Sequence, residues 1–176
     1  MKTLYLECKM GAAGDMLMGA LLELHPAPED FLKRLNALCI PGAKVQRERS
    51  EKCGLTGTHM KVTINGVSEH AHSHEHHIKA QEHHHTGMQE ISHIVEHLSL
   101  PEKVRGDILA VYRLIAGAES AAHGRPVEEI HFHEVGAMDA VADITGVCML
   151  MDELAPKRVV VSPVSVGSGQ VHCAHG

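Results

Sequence analysis

A run of sixteen residues, HAHSHEHHIKAQEHHH from His70 to His85, constrains the fold more than any other feature of this 176-residue chain. Eight of its residues are histidine, and almost none of the others could be buried in a core. A segment of this composition cannot bury enough apolar surface to offset the entropy lost on ordering it. We therefore predict a disordered, mobile insertion over residues 68–87, and the folded core must come from the sequence on either side.

The flanking sequence predicts one compact domain over residues 1–176, because 44% of the chain is hydrophobic. Its phenylalanines and tyrosines are Tyr5, Phe31, Tyr112 and Phe132 alone, and it has no tryptophan, so the core must be mainly aliphatic. Few rings are left for stacking on bases, and the formal net charge is −6. Both features argue against a nucleic-acid partner.

The five cysteines are scattered along the chain and show no C-x-x-C spacing. This pattern predicts neither a disulfide framework nor a thiolate zinc site. No apolar run is long enough for a signal peptide or a membrane span. We therefore predict a reduced, cytoplasmic protein without a membrane partner.

Hydrophobic periodicity predicts short strands interspersed with amphipathic helices. The predicted strands cover Thr3–Cys8, two segments within Ala43–Ile64 that form a hairpin, Val127–His133 and, as the final strand, KRVVVSPVSVG. The predicted helices cover Gly14–Leu24, Glu29–Leu38, a segment from Met88, a segment from Pro101 towards Ala122, and Gly136–Leu154. Because no clean βαβ repeat is present, we predict an α+β fold, a mixed α/β sandwich in which the hairpin packs against several helices.

The stretch EIHFHEVGAMDAVADITG carries the strongest chemical signal. His131 and His133 are two residues apart, as on one face of a strand, and Glu134 follows them directly. Imidazole nitrogen and carboxylate oxygen together suit nickel or zinc, so these three residues form a candidate metal site. The alternative is a pair of partly buried histidines satisfied by hydrogen bonds.

The helix that follows carries a stripe of Gly136, Asp139, Asp143 and Gly146, spaced three, four and three residues apart. Two carboxylates on a largely apolar helix are costly unless a cation or hydrogen-bond donors meet them. The glycines let a ligand or another backbone come close. A favourable interaction of acids with the helix dipole is the alternative, and it explains Asp139 better than Asp143.

The segment GAAGDM lies between a predicted strand and a predicted helix. Backbone N–H groups at such a turn can hold a phosphate, which makes Gly11, Gly14 and Asp15 candidate binding residues. The alternative is that Asp15 caps the helix and satisfies the same N–H groups. The segment is not a P-loop, because no Gly-Lys-Ser/Thr sequence follows it.

Two further segments offer metal ligands. In GSGQVHCAHG, a turn with Gly167 and Gly169 precedes a sulfur and imidazole cluster suited to nickel, copper or zinc, unless it is only a flexible tail. Its candidate ligands are His172, Cys173 and His175. The His-rich run is suited to collecting or buffering metal, unless it is simply a disordered linker. Its candidate ligands are His70, His72, His74, His76, His77, His83, His84 and His85.

In this order, GAAGDM, a histidine-rich insertion, HFHEVGAMDAVADITG and VGSGQVHCAHG resemble the LarC family of nickel insertion proteins. The resemblance covers nearly the whole chain. It implies a cyclometallase, a lyase-class nickel chelatase that inserts nickel into pyridinium-3,5-bisthiocarboxylic acid mononucleotide. The product has a carbon–nickel bond flanked by two sulfur ligands and is the nickel-pincer cofactor of lactate racemase. CTP is hydrolysed in the process.

Family members continue beyond CAHG with a proline-rich segment and a C-terminal domain that carries CTP with Mg or Mn. The resemblance therefore implies that this chain is the N-terminal portion and that a C-terminal half of the same family is its partner. The enzyme that uses the cofactor is a further expected partner, and a homo-oligomer remains open.

The resemblance and the residues together predict a route for nickel. The His-rich run gathers Ni(II), and His131, His133 and Glu134, with Asp139 and Asp143, hold it or pass it on. Gly11, Gly14 and Asp15, with Gly167 and Gly169, contact a phosphate of the substrate. Insertion at a pyridinium carbon releases a proton, so a carboxylate or histidine acts as general base, with the catalytic candidates Glu134, Asp139 and Asp143.

Two other classes of function stay open. A non-catalytic nickel or zinc chaperone or store needs only the His-rich run and does not depend on Asp139 or Asp143. A metal-dependent hydrolase needs an open coordination position and turns over a phosphate ester without CTP or a partner chain.

Overall fold

The computed structural model describes residues 2–68, 86–132 and 137–168, and for Ser68, Thr86 and His131 it describes the backbone alone. The elements in chain order are β1 Thr3–Leu6, α1 Gly14–Glu23, α2 Pro28–Ala37, β2 Ala43–Lys52, β3 Leu55–Ile64, β4 Val67–Ser68, β5 Thr86–Gly87, α3 Met88–His97, α4 Glu102–His123, β6 His131–Phe132, α5 Met138–Leu154 and β7 Arg158–Val161. The predicted mixed α/β fold is confirmed.

The strands form small, separate sheets. β1 pairs in parallel with β7, from Thr3 opposite Arg158 to Leu6 opposite Val161. β2 and β3 form the predicted antiparallel hairpin, and β4 adds to β3. β5 pairs antiparallel with β6, so that Gly87 lies opposite His131. The chain therefore rejoins the described fold beside β6 immediately after the His-rich run.

The hairpin turn is a short one whose sequence suits its geometry. β2 ends at Lys52 and β3 begins at Leu55, which leaves Cys53 and Gly54 as the turn residues. Both have positive φ, 54° at Cys53 and 77° at Gly54. Two-residue hairpins with positive φ at both positions match the twist of the flanking strands, and glycine at the second position makes that conformation accessible.

The core is aliphatic, as the composition predicts, and it spans the helices and one end of the hairpin. Phe31, Tyr112 and Phe132 are fully or almost fully buried, whereas Tyr5 is 57% exposed. Around them pack leucine, isoleucine, valine and methionine side chains of α1 to α5 and of β2 and β3. Across the described ranges, no helix is both long and apolar enough to cross a membrane.

Close packing of α1 depends on two glycines, Gly19 on α1 itself and Gly146 on α5. A Cβ atom built at Gly19 would lie 2.8 Å from the carbonyl oxygen of Thr58 in β3. A Cβ atom built at Gly146 of α5 would lie 2.6 Å from the sulfur of Met18. α1 is therefore held tightly between the hairpin and α5, because Gly19 lets the backbone of β3 come close and Gly146 makes room for the side chain of Met18.

One predicted strand is wrong in part. Residues Val127–Glu129 form a 3₁₀ turn after Pro126, and in the described part of this segment the strand covers His131–Phe132. Proline fixes its own φ and cannot donate to a strand ladder, and the 3₁₀ turn that follows it is exposed to solvent. Within the part of the chain that the structure describes, this segment pairs with β5 only at His131 and Phe132. The final predicted strand is also wrong in part, because β7 ends at Val161, two residues before Pro163.

Candidate functional site

The predicted motifs meet where β1 and β7 end. α1 follows β1 through residues 7–13, and the chain continues from β7 into residues 162–168. Gly14 of α1 contacts Asp143 of α5, and Met18 contacts Gly146, so the two helices run parallel and begin at the same end of the molecule. Ligands commonly bind at the carboxyl ends of parallel strands, where helix N-termini present free N–H groups.

Backbone hydrogen bonds tie the turn after β1 to the segment after β7. The carbonyl of Cys8 accepts from the N–H of Gly11 at 3.1 Å and from the N–H of Ser165 at 3.0 Å. The N–H of Cys8 donates to Oγ of Ser162 at 2.8 Å. Gly11 has a φ of 92°, which suits glycine and lets this turn close. The GAAGDM turn and the start of the predicted glycine turn are thus neighbours.

Asp15 and Asp139 occupy matching positions at the starts of α1 and α5. Each is the second residue of its helix, and the N-cap positions are taken by Ala13 and Ala137, which form no side-chain cap. Oδ1 of Asp15 accepts from the N–H of Met16 at 2.8 Å, and Asp139 bonds its own following N–H at the same distance. Both carboxylates therefore interact favourably with the helix dipole.

The alternative in which Asp15 is the N-cap of α1 is wrong. The helix begins at Gly14, one residue before the aspartate, because Ala13 still has an extended conformation. Asp15 therefore lies inside the first turn and bonds a single N–H. Other N–H groups of that turn are not taken by a side-chain cap, which leaves the turn suited to binding an anion.

Asp143 lies directly against the first turn of α1. A Cβ atom built at Gly14 would lie 2.8 Å from Cβ and 2.9 Å from Oδ2 of Asp143. The half-buried Asp143 carboxylate and the GAAGDM turn therefore belong to the same site, although they come from opposite ends of the sequence. Only glycine at position 14 permits this approach.

Tyr112 of α4 belongs to the same neighbourhood, and sequence reasoning treated it only as a scarce aromatic residue. It is fully buried, and its ring lies 5.6 Å from the ring of Phe132 in β6. Burial raises the pKa of Tyr112, and the nearby carboxylates of Asp139 and Asp143 raise it further. A buried tyrosine needs a partner for its hydroxyl, but the sequence alone does not show which groups surround it.

The predicted metal ligands lie mostly outside the described residues. These are His133, Glu134, His172, Cys173, His175 and the eight histidines of the run from His70 to His85, and of His131 only the backbone is described. Gly169 of the predicted phosphate site and Gly136 of the predicted stripe also lie outside the described residues. Within residues 2–68, 86–132 and 137–168, no three histidine, cysteine, aspartate or glutamate side chains group closely enough to hold a metal ion. The metal site therefore remains a prediction.

The described part of the site combines two kinds of chemistry. The carboxylates of Asp15, Asp139 and Asp143 do not by themselves form a metal-binding group, but each could accept a proton or contribute a single ligand to a metal that is held mainly by other groups. Backbone N–H groups at the starts of α1 and α5 could bind an anion. Gly167 is exposed with open space around its Cα atom, so the segment after β7 can approach a ligand closely. Such a site suits a substrate that carries both a phosphate and a metal ion.

Comparison with known proteins gives consistent matches. The family described as nickel insertion protein matches residues 4–176. The pyridinium-3,5-bisthiocarboxylic acid mononucleotide nickel insertion protein of Clostridium kluyveri is 38% identical over 100% of this chain and 44% of its own length. The protein of the same description from Geobacillus kaustophilus is 35% identical over 100% of this chain and 42% of its own length. No solved structure matches the chain.

Proposed function

Because the chain belongs to the nickel insertion protein family, we propose that it binds Ni(II) and takes part in inserting it into pyridinium-3,5-bisthiocarboxylic acid mononucleotide. The contact between Gly14 and Asp143 is the observation that carries this proposal, because it joins a turn suited to a phosphate with a carboxylate suited to a metal or a proton. The predicted membership in this family is confirmed. The substrate and the reaction are proposed for this chain from the names of its relatives.

The phosphate of the mononucleotide binds at the start of α1 in this proposal. Gly11, Gly14 and Asp15 shape the turn, and backbone N–H groups there supply the donors. Gly167 and Gly169 of the segment after β7 complete the pocket. Support comes from the hydrogen bonds of Cys8 with Ser162 and Ser165, since they hold the turn after β1 next to the residues that directly precede Gly167.

Nickel is cargo in this reaction and is held first by the His-rich run. That run ends one residue before β5, whose Gly87 pairs with the backbone of His131. Metal collected there has a short route to His131, His133 and Glu134, where nitrogen and carboxylate ligands suit nickel. The terminal group of His172, Cys173 and His175 supplies further ligands in the same proposal.

A carboxylate takes the proton that leaves the pyridinium carbon when the carbon–nickel bond forms. The candidates are Glu134, Asp139 and Asp143, and a base must lie within hydrogen-bonding reach of that proton. Asp139 and Asp143 lie one helical turn apart in the first half of α5. Asp143 also contacts Gly14, in the turn proposed to bind the phosphate. These positions support a role for one of them beside the reacting carbon.

The complete reaction needs more than this chain in our proposal. The chain spans less than half the length of the curated relatives that it matches. We assign the use of CTP with Mg or Mn to a C-terminal half of the same family, acting as a partner. The product is the nickel-pincer cofactor of lactate racemase-type enzymes, made in the cytoplasm by a lyase-class nickel chelatase.

Nickel stoichiometry and affinity provide the first test, measured by calorimetry with elemental analysis. The intact chain is compared with a variant in which the eight histidines of the run are replaced by serine, which keeps the chain length. One tight site is expected to survive this replacement and to disappear when His131 and His133 are also changed to alanine. Loss of all binding with the run would contradict a structured site and would favour a nickel chaperone or store.

An insertion assay with the C-terminal half of a relative tests the base. Glu134→Ala or Asp139→Asn should leave nickel uptake by the His-rich run intact and stop insertion. Glu96→Ala is a matched control, because Glu96 lies exposed on α3. Unchanged insertion in both variants would remove these residues from the mechanism. Turnover of a phosphate ester without CTP or partner would instead indicate a metal-dependent hydrolase.

A further inference from the structure

His93 and His97 form an exposed pair of histidines on α3. Because they are four residues apart, they lie on the same face of the helix, one turn from each other. Their ring centroids are 4.3 Å apart, and the ring planes are tilted by 37°. The two imidazoles therefore meet beside the helix, on an element that contributes no residue to the site described above.

A hydrogen bond fixes the tautomer of His97. Its Nδ1 lies 2.7 Å from the carbonyl oxygen of His93. A carbonyl oxygen can only accept, so Nδ1 carries the proton and the lone pair of the ring lies on Nε2. Histidines that bind metal ions almost always donate their other ring N–H to such a partner, which fixes the ring and makes the ligand nitrogen more basic. His97 therefore has the arrangement of a metal ligand.

His93 supplies a second imidazole at nearly the distance that one metal ion requires. Within the described residues, no hydrogen bond occupies a ring nitrogen of His93. Two imidazoles that bind one ion at about 2.1 Å place their ring centroids roughly 4.5–5.5 Å apart. The observed separation is 4.3 Å, so a small opening of the pair admits an ion between a nitrogen of each ring.

The charges of α3 favour a cation at this end of the helix. His97 is the last residue of α3, where the carbonyl ends of the peptide dipoles give a partial negative charge. The exposed Glu90 and Glu96 lie on the same helix, and α3 contains no lysine or arginine. A divalent ion bound by the pair therefore meets negative charge on its own helix.

We propose that His93 and His97 bind a divalent transition-metal ion such as Ni(II), through Nε2 of His97 and a ring nitrogen of His93. Among the described residues, no third histidine, cysteine, aspartate or glutamate joins them closely enough to be a ligand, so water completes the shell. Imidazole ligands favour Cu(II) over Ni(II), whereas Mg(II) prefers oxygen and should not bind. The site is separate from the predicted HFHE site and binds more weakly, because it has fewer protein ligands.

The position of the pair suits metal in transit. α3 follows β5 directly, and β5 is the strand at which the chain leaves the His-rich run. His93 and His97 lie roughly 8 and 14 Å along α3 from its start. A water-completed site at that distance can take up and release nickel between the run and the rest of the fold. This use rests on the proposed function, whereas the metal site itself does not.

Calorimetry with Ni(II) tests the pair in a full-length background chain. In that chain the eight run histidines and the terminal group of His172, Cys173 and His175 are replaced by serine. Two classes of site are expected, a tight one at HFHE and a weaker one at the pair. Loss of an outer-shell partner alone costs about tenfold or more in metal affinity, so loss of a ligand by His97→Ala should weaken the second class at least as much. The tight class should not change.

Two variants on exposed positions of α3 separate chelation from histidine content. Glu96→His combined with His93→Ser leaves two histidines at adjacent positions, which do not face each other, so the weaker class should disappear. Gln89→His combined with His97→Ser places two histidines four residues apart again, one turn earlier, and should restore it. Nitrogen NMR of the imidazoles with Zn(II) identifies the ligands: Nδ1 of His97 should be protonated without metal, and Zn(II) should shift Nε2 of His97 together with a nitrogen of His93.

The outcomes distinguish this inference from the proposed function. If the weaker class is absent, or is the same in His97→Ala and in the adjacent-histidine variant, the pair is only a solvated helix face and the inference is overturned. A proton on Nε2 of His97 in the metal-free chain would overturn the assigned ligand atom. If the weaker class behaves as expected and the tight class is missing, the inference stands and the proposed structured nickel site fails.

Discussion

At the scale of single residues, the site depends on one glycine that lets two helices come close. Gly14 leaves room for Asp143, whose Cβ lies only 2.8 Å from where a Cβ at position 14 would be. Because the Cβ of Asp143 is fixed by the backbone of α5, this neighbour cannot swing aside as the tip of a long side chain could. Gly14 therefore sets both the spacing of α1 from α5 and the orientation of the carboxylate.

Gly14→Ala should destabilise the protein and weaken the nickel site together. The added methyl group forces α1 and α5 apart, and overpacking of this kind costs about 1–3 kcal/mol. The free energy of unfolding is measured by urea denaturation and the nickel affinity by calorimetry. Gly117→Ala is the matched control, because Gly117 lies exposed within α4 with no atom near enough to clash.

The control variant Gly117→Ala should raise the free energy of unfolding, whereas Gly14→Ala should lower it. Alanine in a helix interior is favoured over glycine by about 0.5–1 kcal/mol, so Gly117→Ala should stabilise the chain and leave nickel affinity unchanged. A Gly14→Ala variant that behaves like Gly117→Ala would show that α1 and α5 are not in close contact. Such a result would contradict the proposal that Asp143 lies beside the turn that binds the phosphate.

Much of this residue-scale arrangement follows from local sequence, and part of it cannot. The stripe of Asp139, Asp143 and Gly146 and the turn at Gly14 are visible in the sequence because helix and turn preferences are local. Their meeting is not visible, because it depends on which helix packs beside α1. Tyr112 was missed for the same reason, since a tyrosine in an apolar stripe looks identical whether it faces aliphatic groups or carboxylates.

At the scale of elements, α2 is fastened to α5 by an ion pair around Glu153. Nη1 and Nη2 of Arg34 lie 2.7 Å from Oε1 and Oε2 of Glu153, a bidentate pair, and Nε2 of His25 lies 2.9 Å from Oε2. The hydrogen bonds from Arg34 lower the pKa of Glu153 below its ordinary value of 4.5. Bidentate geometry makes this pair stronger than an ordinary surface contact.

Arg34→Gln should reduce the free energy of unfolding at pH 7 by about 0.5–1 kcal/mol, a value that allows for the half-exposed arginine. Since the pKa of Glu153 is lower in the folded state, the ionised pair contributes fully above about pH 4.5 and its contribution is lost as the pH falls further. The difference between variant and parent should therefore shrink below pH 4.5. Urea denaturation at a series of pH values measures it.

Lys33→Gln is the matched control for the ion pair. Nζ of Lys33 lies 3.4 Å from Oδ1 of Asp30, and both side chains are largely exposed. Its removal should change stability far less than removal of Arg34 at every pH. Equal effects of the two substitutions, or an Arg34→Gln effect that persists unchanged in acid, would contradict the role assigned to Glu153.

At the scale of the whole molecule, the pairing that organises the site joins the two ends of the described fold. β1 and β7 are separated by nearly the full length of the chain. The sequence predicts both strands from their local apolar content, but their pairing depends on long-range packing that periodicity does not reveal. The hairpin of β2 and β3 was predictable because its turn and both of its strands are contiguous.

This arrangement predicts that nickel bound at the structured site stabilises the whole fold. A ligand that binds only the folded state adds about 2.7 kcal/mol at a free concentration of 100 times its Kd. With the eight run histidines replaced by serine, Ni(II) at that concentration should therefore raise the free energy of unfolding by this amount. His131→Ala with His133→Ala should remove the effect, whereas His123→Ala, on an exposed part of α4, should not.

The same experiment on the parent chain shows what the His-rich run contributes. Ligands in a segment that stays disordered bind nickel in the folded and unfolded states alike, so such binding adds no stability. The parent should then take up more nickel than the serine variant by elemental analysis and gain the same free energy of unfolding. A larger gain in the parent would mean that the run binds nickel only when the chain is folded, and its role would extend beyond collection.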